Sequence, residues 1–248
     1  MIILKSRDEI DRMRVPCRIV AEILYGLRAL VKPGVTTFEL DLFAANEARK
    51  RGAKCAFRGY HNYPSSLCCS PNEQVVHGIP NKSALKSGDI ISMDFGVLVD
   101  GYYGDSAITV PVGEISAAAN MLITVTEESL YAAIDAAQSG NRLGDVSFAV
   151  QSYVENRGFS VVRDFVGHGI GKSLHEDPQI PNYGLPSKGV KLKPGMVLAI
   201  EPMINEKSHE VRVLDDNWTV VTCDGGLSAH FEHTVAITEH GPEILTRI

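Results

Sequence analysis

DFGVLVDGYYGDSA, residues 94–107, predicts a β-hairpin that carries an aspartate on each strand. Apolar and aromatic residues flank Asp100-Gly101, which is the strongest short turn signal. With these two residues as the loop, Asp105 lies opposite Gly96, two residues from Asp94 on its strand. Side chains alternate faces along a strand, so Asp94 and Asp105 share one face as diagonal neighbours. Like charges this close repel and raise one another's pKa, so the hairpin requires a partner that offsets the repulsion.

Two more acids and three histidines lie in similar settings. Glu201 ends the apolar run MVLAI, and Glu232 enters another strand in HFEHTVAI. His168 and His175 lie in the glycine-rich GHGIGKSLHEDP, and His77 lies in VVHGIP. Any one of these residues is more often a satisfied surface or core group, since buried acids are rare unless paired or bound to a metal. Four acids within apolar strand sequence point instead to a shared site.

The charge of that site predicts divalent cations. Four carboxylates carry about four negative charges, and two divalent ions neutralise them. Oxygen-rich ligation with one imidazole suits Mn, Fe, Co or Zn, and the chemistry it implies is hydrolysis by a metal-activated water. Thiolate ligands are not needed, and we expect the odd set of five cysteines to be reduced thiols. They are Cys17, Cys55, Cys68, Cys69 and Cys223.

Helical patterns and a repeated strand indicate an α/β architecture. LKSGDIISMD, residues 85–94, can be laid over LKPGMVLAIE, residues 192–201, and each ends in an acid. This internal sequence similarity predicts a single domain of two related halves, about 1–115 and 116–248. The alternative is a chance similarity of two strand-turn segments. The predicted elements are a helix over 6–31 capped by Ser6, a second capped by Thr36 or Thr37 and ending near Lys50, helices over 116–137 and 142–157, and a strand over 159–165.

Composition narrows the class of protein. The 248 residues are 44% apolar and 22% charged, which is ordinary for a globular chain, and the net charge of −6 argues against nucleic acid as a partner. No apolar run has the length of a membrane span. The start, MIILKSRDEIDRMR, has no signal-peptide pattern, so we expect a cytoplasmic protein without membrane attachment.

Five motifs, in this order, resemble the methionine aminopeptidase family in its short bacterial type I form. They are HGIP, DFG…DGYYGDSA, GHGIG…HEDP, PGMVLAIEP and SAHFEHTVAI, and the likeness covers essentially the whole chain. The resemblance implies the pita-bread α/β fold, with two pseudo-twofold halves around a curved antiparallel sheet and helices on the outside. It also implies removal of the initiator methionine from polypeptides with a small second residue.

The same resemblance assigns the acids to two divalent ions. Asp94 would bind the first ion, Asp105 and Glu232 would bridge the pair, and His168 and Glu201 would bind the second. The family mechanism is attack of a metal-activated hydroxide on the first peptide bond, with Glu201 as proton shuttle.

Further roles also follow from the resemblance. His175 would stabilise the tetrahedral intermediate, and His77 would hold the peptide near its first bond. Leu174 stands where the bacterial pattern usually has phenylalanine, which leaves the shape of the methionine pocket open. The expected pocket residues are Tyr60, Tyr63, Cys68 and Trp218, and a monovalent cation, Na or K, is expected near Asn72, Gln74 and Ser228.

The sequence is also compatible with two other functions. A proline-directed peptidase, such as a prolidase or an Xaa-Pro aminopeptidase, shares the five ligands, although it usually carries a long N-terminal domain. A non-catalytic binding protein on the same fold is the second alternative, and the intact ligand set argues against it. For the main hypothesis, the partners are nascent polypeptide N-termini near the ribosome, and we expect a monomer.

Overall fold

Four helices pack against a nine-stranded, curled antiparallel sheet in the computed structural model, which describes all 248 residues. The mixed α/β class and the curved sheet with outer helices are as expected. None of the helices is both long and apolar enough to cross a bilayer. The helices are α1 (Arg7–Leu30), α2 (Thr37–Lys50), α3 (Ala117–Ala136) and α4 (Leu143–Glu155), with a short 3-10 turn over Tyr60–Asn62.

Local sequence signals explain where the first two helices begin. Ser6 accepts the backbone N–H of Glu9, whose carboxylate accepts the N–H of Ser6 in return. Thr36 and Glu39 form the same reciprocal pair at the start of α2. Each pair satisfies two of the four N–H groups that a helix start leaves without partners. The four predicted helices are confirmed, and the cap of α2 is Thr36.

Fifteen strands form the sheets. They are β1 (Lys54–Cys55), β2 (Cys68–Pro71), β3 (Gln74–Val76), β4 (Ile90–Val99), β5 (Tyr102–Pro111), β6 (Ser160–Val161), β7 (Val166–Gly169), β8 (Glu176–Pro181), β9 (Val197–Ile200), β10 (Met203–Asn205), β11 (Val211–Val213), β12 (Val220–Thr222), β13 (Ser228–His230), β14 (Glu232–Thr238) and β15 (Gly241–Ile244). The main sheet has the order β1-β4-β5-β14-β9-β7-β8, with β2 paired to β4 and β15 paired to β14.

The hairpin of β4 and β5 has the predicted register. Val99 pairs with Tyr102 across the turn, and Gly96 pairs with Asp105. Asp100 and Gly101 have φ angles of 47° and 80°, the left-handed values that a two-residue hairpin turn needs. Asp94 and Asp105 therefore point to the same face of the sheet, as the alternation of side chains predicts.

The two segments that echo one another in sequence also repeat their contacts. Leu85 donates its N–H to the carbonyl of Val35, and Leu192 donates to that of Asn141 in the same way. The residue just before each segment also forms an isolated bridge to the N-cap residue of a helix: Ala84 pairs with Thr36 at the start of α2, and Lys191 pairs with Arg142 at the start of α4. Each repeat therefore anchors its acid-bearing strand to the start of a helix. The boundary between 1–115 and 116–248 stays a prediction.

The strand predicted over 159–165 is too long. Only Ser160–Val161 forms a strand, β6, which pairs with β10. The chain then bends at Arg163 and Asp164, and β7 begins at Val166. Apolar residues lie on both sides of Arg163 and Asp164, but the bend at these two residues redirects the chain to another sheet, and the sequence pattern alone does not reveal such a change of direction.

The helix pairs each cover their own apolar cluster. α1 and α2 pack against Ile91, Met93 and Phe95 of β4, while α3 and α4 enclose a larger cluster that reaches β9 and β14. α1 lies so close to β5 that a side chain on Gly104 would meet the backbone of Cys17 at 2.6 Å. This approach fixes the hairpin relative to α1.

Gly104→Ala should therefore destabilise the fold more than Gly101→Ala. The first change forces a methyl group into the backbone of α1, and overpacking of this kind costs about 1–3 kcal/mol. The second change meets no atom within 4 Å and adds only the strain of a left-handed residue, roughly 1 kcal/mol. Urea unfolding of both variants measures the difference. An equal or smaller loss for Gly104→Ala would contradict the close packing of α1 on β5.

Candidate metal centre and active site

One row of the main sheet brings the predicted acids together. Asp94 on β4 pairs with Ala107 on β5, which in turn pairs with Glu232 on β14. Residues paired across adjacent strands point to the same face, so the two carboxylates are directed to one side. Glu201 follows the last residue of β9, and Ile200 there pairs with His233, the neighbour of Glu232. The four acids therefore come from four strands and meet on one face.

His168 completes the cluster. It lies on β7 opposite Ala199 of β9, two residues before Glu201. One ligand atom each of Asp105, His168 and Glu232 lie within 4.8 Å of one another. The Nδ1 atom of His168 lies 2.9 Å from the carbonyl oxygen of Gly169, so it carries the proton and donates it. The Nε2 atom is then left with a free lone pair, as metal-binding imidazoles require.

Burial makes the acids costly as charged groups. Only 3% of Asp105 and 2% of Glu232 is exposed to solvent. Burial raises the pKa of Asp94 to about 7 and that of Glu201 to about 8. It also raises the pKa of Asp105 and of Glu232 well above the usual carboxyl range, and the neighbouring carboxylates add to the shift.

The protein itself supplies no cation to balance them. No lysine or arginine lines the surrounding cavity. Two carboxylate oxygens, Asp94 Oδ1 and Glu232 Oε1, are buried without a hydrogen-bond partner. Four acids, a correctly protonated imidazole and unpartnered oxygen atoms form a donor set that fits divalent metal ions.

A cavity of about 270 Å³ opens beside this cluster. All four predicted pocket residues line it: Tyr60, Tyr63, Cys68 and Trp218. Cys68 lies beside the acids because it pairs with Asp94 across β2 and β4. The Tyr63 hydroxyl donates to the carbonyl of Gly78 at 2.9 Å, which ties the pocket wall to the segment that carries His77. The cavity is thus lined both by apolar and aromatic side chains and by the acid cluster.

His77 and His175 both line the cavity. The hydroxyl of Tyr60 lies 2.7 Å from His175 Nδ1, and the rings of His175 and His168 are 4.3 Å apart. His77 has a positive φ of 59°, an uncommon conformation for a residue other than glycine, and its ring packs edge-on against Phe165 and Trp218. Burial lowers the pKa of His175 and that of His77, the latter to about 4, so both rings are neutral near pH 7.

Of the residues at the site that the sequence did not single out, Phe57 and His230 bear most on its chemistry. Phe57 lines the cavity and belongs to the same apolar cluster as Leu174, so it adds an aromatic ring to a wall that also contains the smaller leucine. His230, inside the motif SAHFEHTVAI, points its Nε2 atom towards Glu201 Oε2 at a distance of 3.4 Å. Its position two residues before Glu232, on the same alternating pattern, is the signal that could have identified it.

The residues expected to hold a monovalent cation lie close together. Ser228 donates its backbone N–H to the carbonyl of Asn72, and Asn72 Oδ1 accepts the N–H of Ile90. Gln74 begins β3. The cation at this position stays a prediction.

Comparison with known proteins gives a consistent result. The sequence model of metallopeptidase family M24 matches residues 11–239. Methionine aminopeptidase 1 of Bacillus subtilis (strain 168) is 56% identical over 248 residues, covering 100% of both chains. The crystal structure of methionine aminopeptidase from Thermotoga maritima has a TM-score of 0.99 and 48% identity, with 100% of each chain covered.

A more distant structure shares the fold alone. Prolidase from Pyrococcus furiosus has a TM-score of 0.81 at 22% identity, and the match covers 99% of this chain and 66% of that chain. Identity this low does not extend to substrate.

Binding of a divalent ion should release protons. At pH 6 to 7 the raised pKa values keep part of the carboxyl cluster protonated, and ligation requires the charged form. Calorimetric titration of metal-stripped protein with Mn²⁺, in two buffers of different ionisation enthalpy, measures the release. We expect the number of protons released to fall as the pH rises past about 8, the pKa of Glu201. An enthalpy independent of the buffer at pH 6 would contradict the raised pKa values.

Insertion of one glycine between Asp100 and Gly101 should abolish metal binding before it unfolds the protein. A shift of one residue in register turns Asp105 to the opposite face of the hairpin. The matched control is a glycine inserted between Arg157 and Gly158, in a turn after α4 far along the chain from the hairpin. Mn²⁺ titration of both variants measures metal binding, and circular dichroism measures whether each variant remains folded. Full Mn²⁺ binding by the hairpin variant would show that register does not set the site.

Proposed function

The chain belongs to metallopeptidase family M24, and we infer that it is a metal-dependent aminopeptidase that removes the N-terminal methionine of polypeptides. Relatives at this identity over the full length of both chains carry that activity in their names. The observation in the structure that supports it best is the position of the acid cluster, which lies at one side of a cavity of about 270 Å³. When the side chain of a substrate's first residue fills the cavity, the first peptide bond of that substrate lies close to the acid cluster.

The wall of the cavity suits a methionine side chain. A thioether packs well against aromatic rings and against other sulfur atoms. Phe57, Tyr63 and Trp218 offer rings, and Cys68 offers sulfur. Leu174 is buried in the same apolar cluster as Phe57 and both line the cavity, so the two together, and not Leu174 alone, determine the shape of this wall.

Asp94, Asp105, His168, Glu201 and Glu232 would hold two divalent ions, of which Mn, Fe, Co and Zn suit the ligands. Ions held there would lower the pKa of a water molecule and polarise the peptide carbonyl. Asp105 and Glu232 are the most buried acids of the set, so divalent ions held there would offset the largest cost of burying a charge.

Glu201 is placed to move the proton. Its side chain is 13% exposed and faces the cavity, whereas Asp105 and Glu232 are more deeply buried. Hydrolysis adds the oxygen of water to the carbonyl carbon and breaks the bond from that carbon to the amide nitrogen. Glu201 would take a proton from the attacking water and deliver it to the leaving nitrogen, and its contact with the cavity suits both transfers.

His175 is placed to stabilise the developing oxyanion. Burial raises the pKa of Tyr60, so its hydroxyl stays protonated next to Nδ1 of the neutral His175 ring. With Tyr60 as the donor in this contact, the proton of His175 would be on Nε2, from which the ring would donate to the carbonyl oxygen as it gains charge. His77, neutral and held between two aromatic rings, would contact the peptide close to its first bond.

The substrates in the cell would be nascent polypeptide N-termini, which carry methionine where they are made. We therefore place the enzyme in the cytoplasm, near the ribosome, as a monomer. We expect good substrates to have a small second residue, as the resemblance to the methionine aminopeptidase family implies.

A peptide panel tests the proposed activity. The metal-loaded protein should release methionine from Met-Ala-Ser and Met-Gly-Ser, and it should act poorly on Leu-Ala-Ser and on Ala-Pro-Ser. Runs with Mn²⁺, Fe²⁺, Co²⁺ and Zn²⁺ identify the active metal. Absence of methionine release with every metal would refute the activity, and preferential cleavage of Ala-Pro-Ser would instead favour the proline-directed alternative.

Glu201→Gln should lower kcat by roughly 10²–10⁴-fold, the usual contribution of a positioned acid–base group. The amide is nearly isosteric, so the fold should be retained. Glu114→Gln is the matched control, because Glu114 is exposed on the surface. Steady-state kinetics on Met-Ala-Ser compare the two variants. A kcat for Glu201→Gln within threefold of the control would refute the assigned role.

A further inference from the structure

His230 is a buried histidine with an unpartnered nitrogen directed at the site. It ends β13 and is 1% exposed to solvent. Its Nε2 atom has no hydrogen-bond partner and lies 3.4 Å from Glu201 Oε2. Its backbone is fixed on both sides by Thr109, whose hydroxyl accepts the N–H of His230 at 2.9 Å and donates to its carbonyl at 2.7 Å. The backbone of His230 is therefore held in place by the sheet, and its ring is buried.

The Glu201 carboxylate lies between two imidazole rings. Its Oε1 atom is 3.6 Å from His168 Nε2, and its Oε2 atom is 3.4 Å from His230 Nε2. The two oxygens thus face different rings. Glu201 follows the end of β9, where no further ladder pairing holds the chain, so its side chain depends on such neighbours for its orientation.

We propose that His230 is the positioning residue of Glu201: it donates its Nε2–H to Oε2 and so keeps Oε1 turned towards His168 and the metal-binding face. This inference deepens the proposed function and rests on it. A separation of 3.4 Å is longer than an ordinary N–H···O bond, and a small rotation of either side chain shortens it; such bonds are often long in ligand-free active sites.

The hydrogen bond from His230 would restrict the orientation of the Glu201 carboxylate and still leave it able to accept a proton. A carboxylate oxygen has two lone pairs, so Oε2 accepts from His230 and keeps a second lone pair for a proton in transit. Loss of the donor would leave the carboxylate free to rotate. Partners of this kind, which orient a metal ligand, typically contribute 10–100-fold to metal affinity or activity.

Two variants of nearly equal length separate hydrogen bonding from packing. His230→Gln keeps an N–H donor on a flexible side chain, and His230→Met fills similar space without one. For the Met variant we expect kcat on Met-Ala-Ser and affinity for Mn²⁺, measured by calorimetry on stripped protein, to fall roughly 10–100-fold, with KM changed less than threefold. The Gln variant should recover at least tenfold of the loss in both. Equal behaviour of the two variants would overturn the proposal.

A measurement on the unaltered protein does not depend on either variant folding. In Zn²⁺-loaded protein labelled with ¹⁵N at histidine, the ¹⁵N shifts and one-bond couplings report which ring nitrogen of His230 carries a proton. We expect the proton on Nε2. A proton on Nδ1 with Nε2 unprotonated would overturn the proposal, because Nε2 could then not donate to Glu201.

These readouts separate the inference from the proposed function. If the protein released no methionine from any peptide, the aminopeptidase activity would fail, while the His230 tautomer and the Mn²⁺ affinities would still decide the positioning role. If methionine were released normally and both variants bound Mn²⁺ as wild type does, the positioning role alone would fail.

Discussion

Mutual repulsion among four buried carboxylates is the constraint on which the rest of the structure depends. Asp94, Asp105, Glu201 and Glu232 meet on one face of the sheet with no lysine or arginine beside them. Burying charge without a partner is costly, and the chain tolerates it only where something else neutralises the group. The raised pKa values and the unpartnered oxygens both show that positive charge is lacking next to these carboxylates, and divalent cations would supply it.

The architecture delivers these groups from separate parts of the chain. The β4–β5 hairpin brings two aspartates, and its left-handed turn fixes their register. β7, β9 and β14 bring the histidine and the two glutamates. In both echoing segments the acid-bearing strand is tied to the start of a helix by the same backbone hydrogen bonds. The two helix pairs and their apolar clusters thus hold rigid the strands that position the charges.

Much of this could be predicted from sequence because it depends on local rules. The hairpin register follows from Asp100-Gly101, and the first two helix starts follow from Ser6 and Thr36 with a glutamate three residues on. The length of β6 could not be predicted, because apolar residues flank Arg163 and Asp164 on both sides, and the bend between them redirects the chain to another sheet. The contact of His230 with Glu201 could not be predicted either, since these two residues are brought together only by the pairing of β10 with β13 and of β9 with β14.

Anomalous diffraction from crystals of the Mn²⁺-loaded protein, collected near the manganese edge, measures whether this cluster binds divalent metal ions. We expect anomalous peaks among the carboxylate oxygens of Asp94, Asp105, Glu201 and Glu232 and within bonding distance of His168 Nε2. Crystals that show no anomalous signal there, with the carboxyl groups hydrogen-bonded to one another, would contradict this expectation.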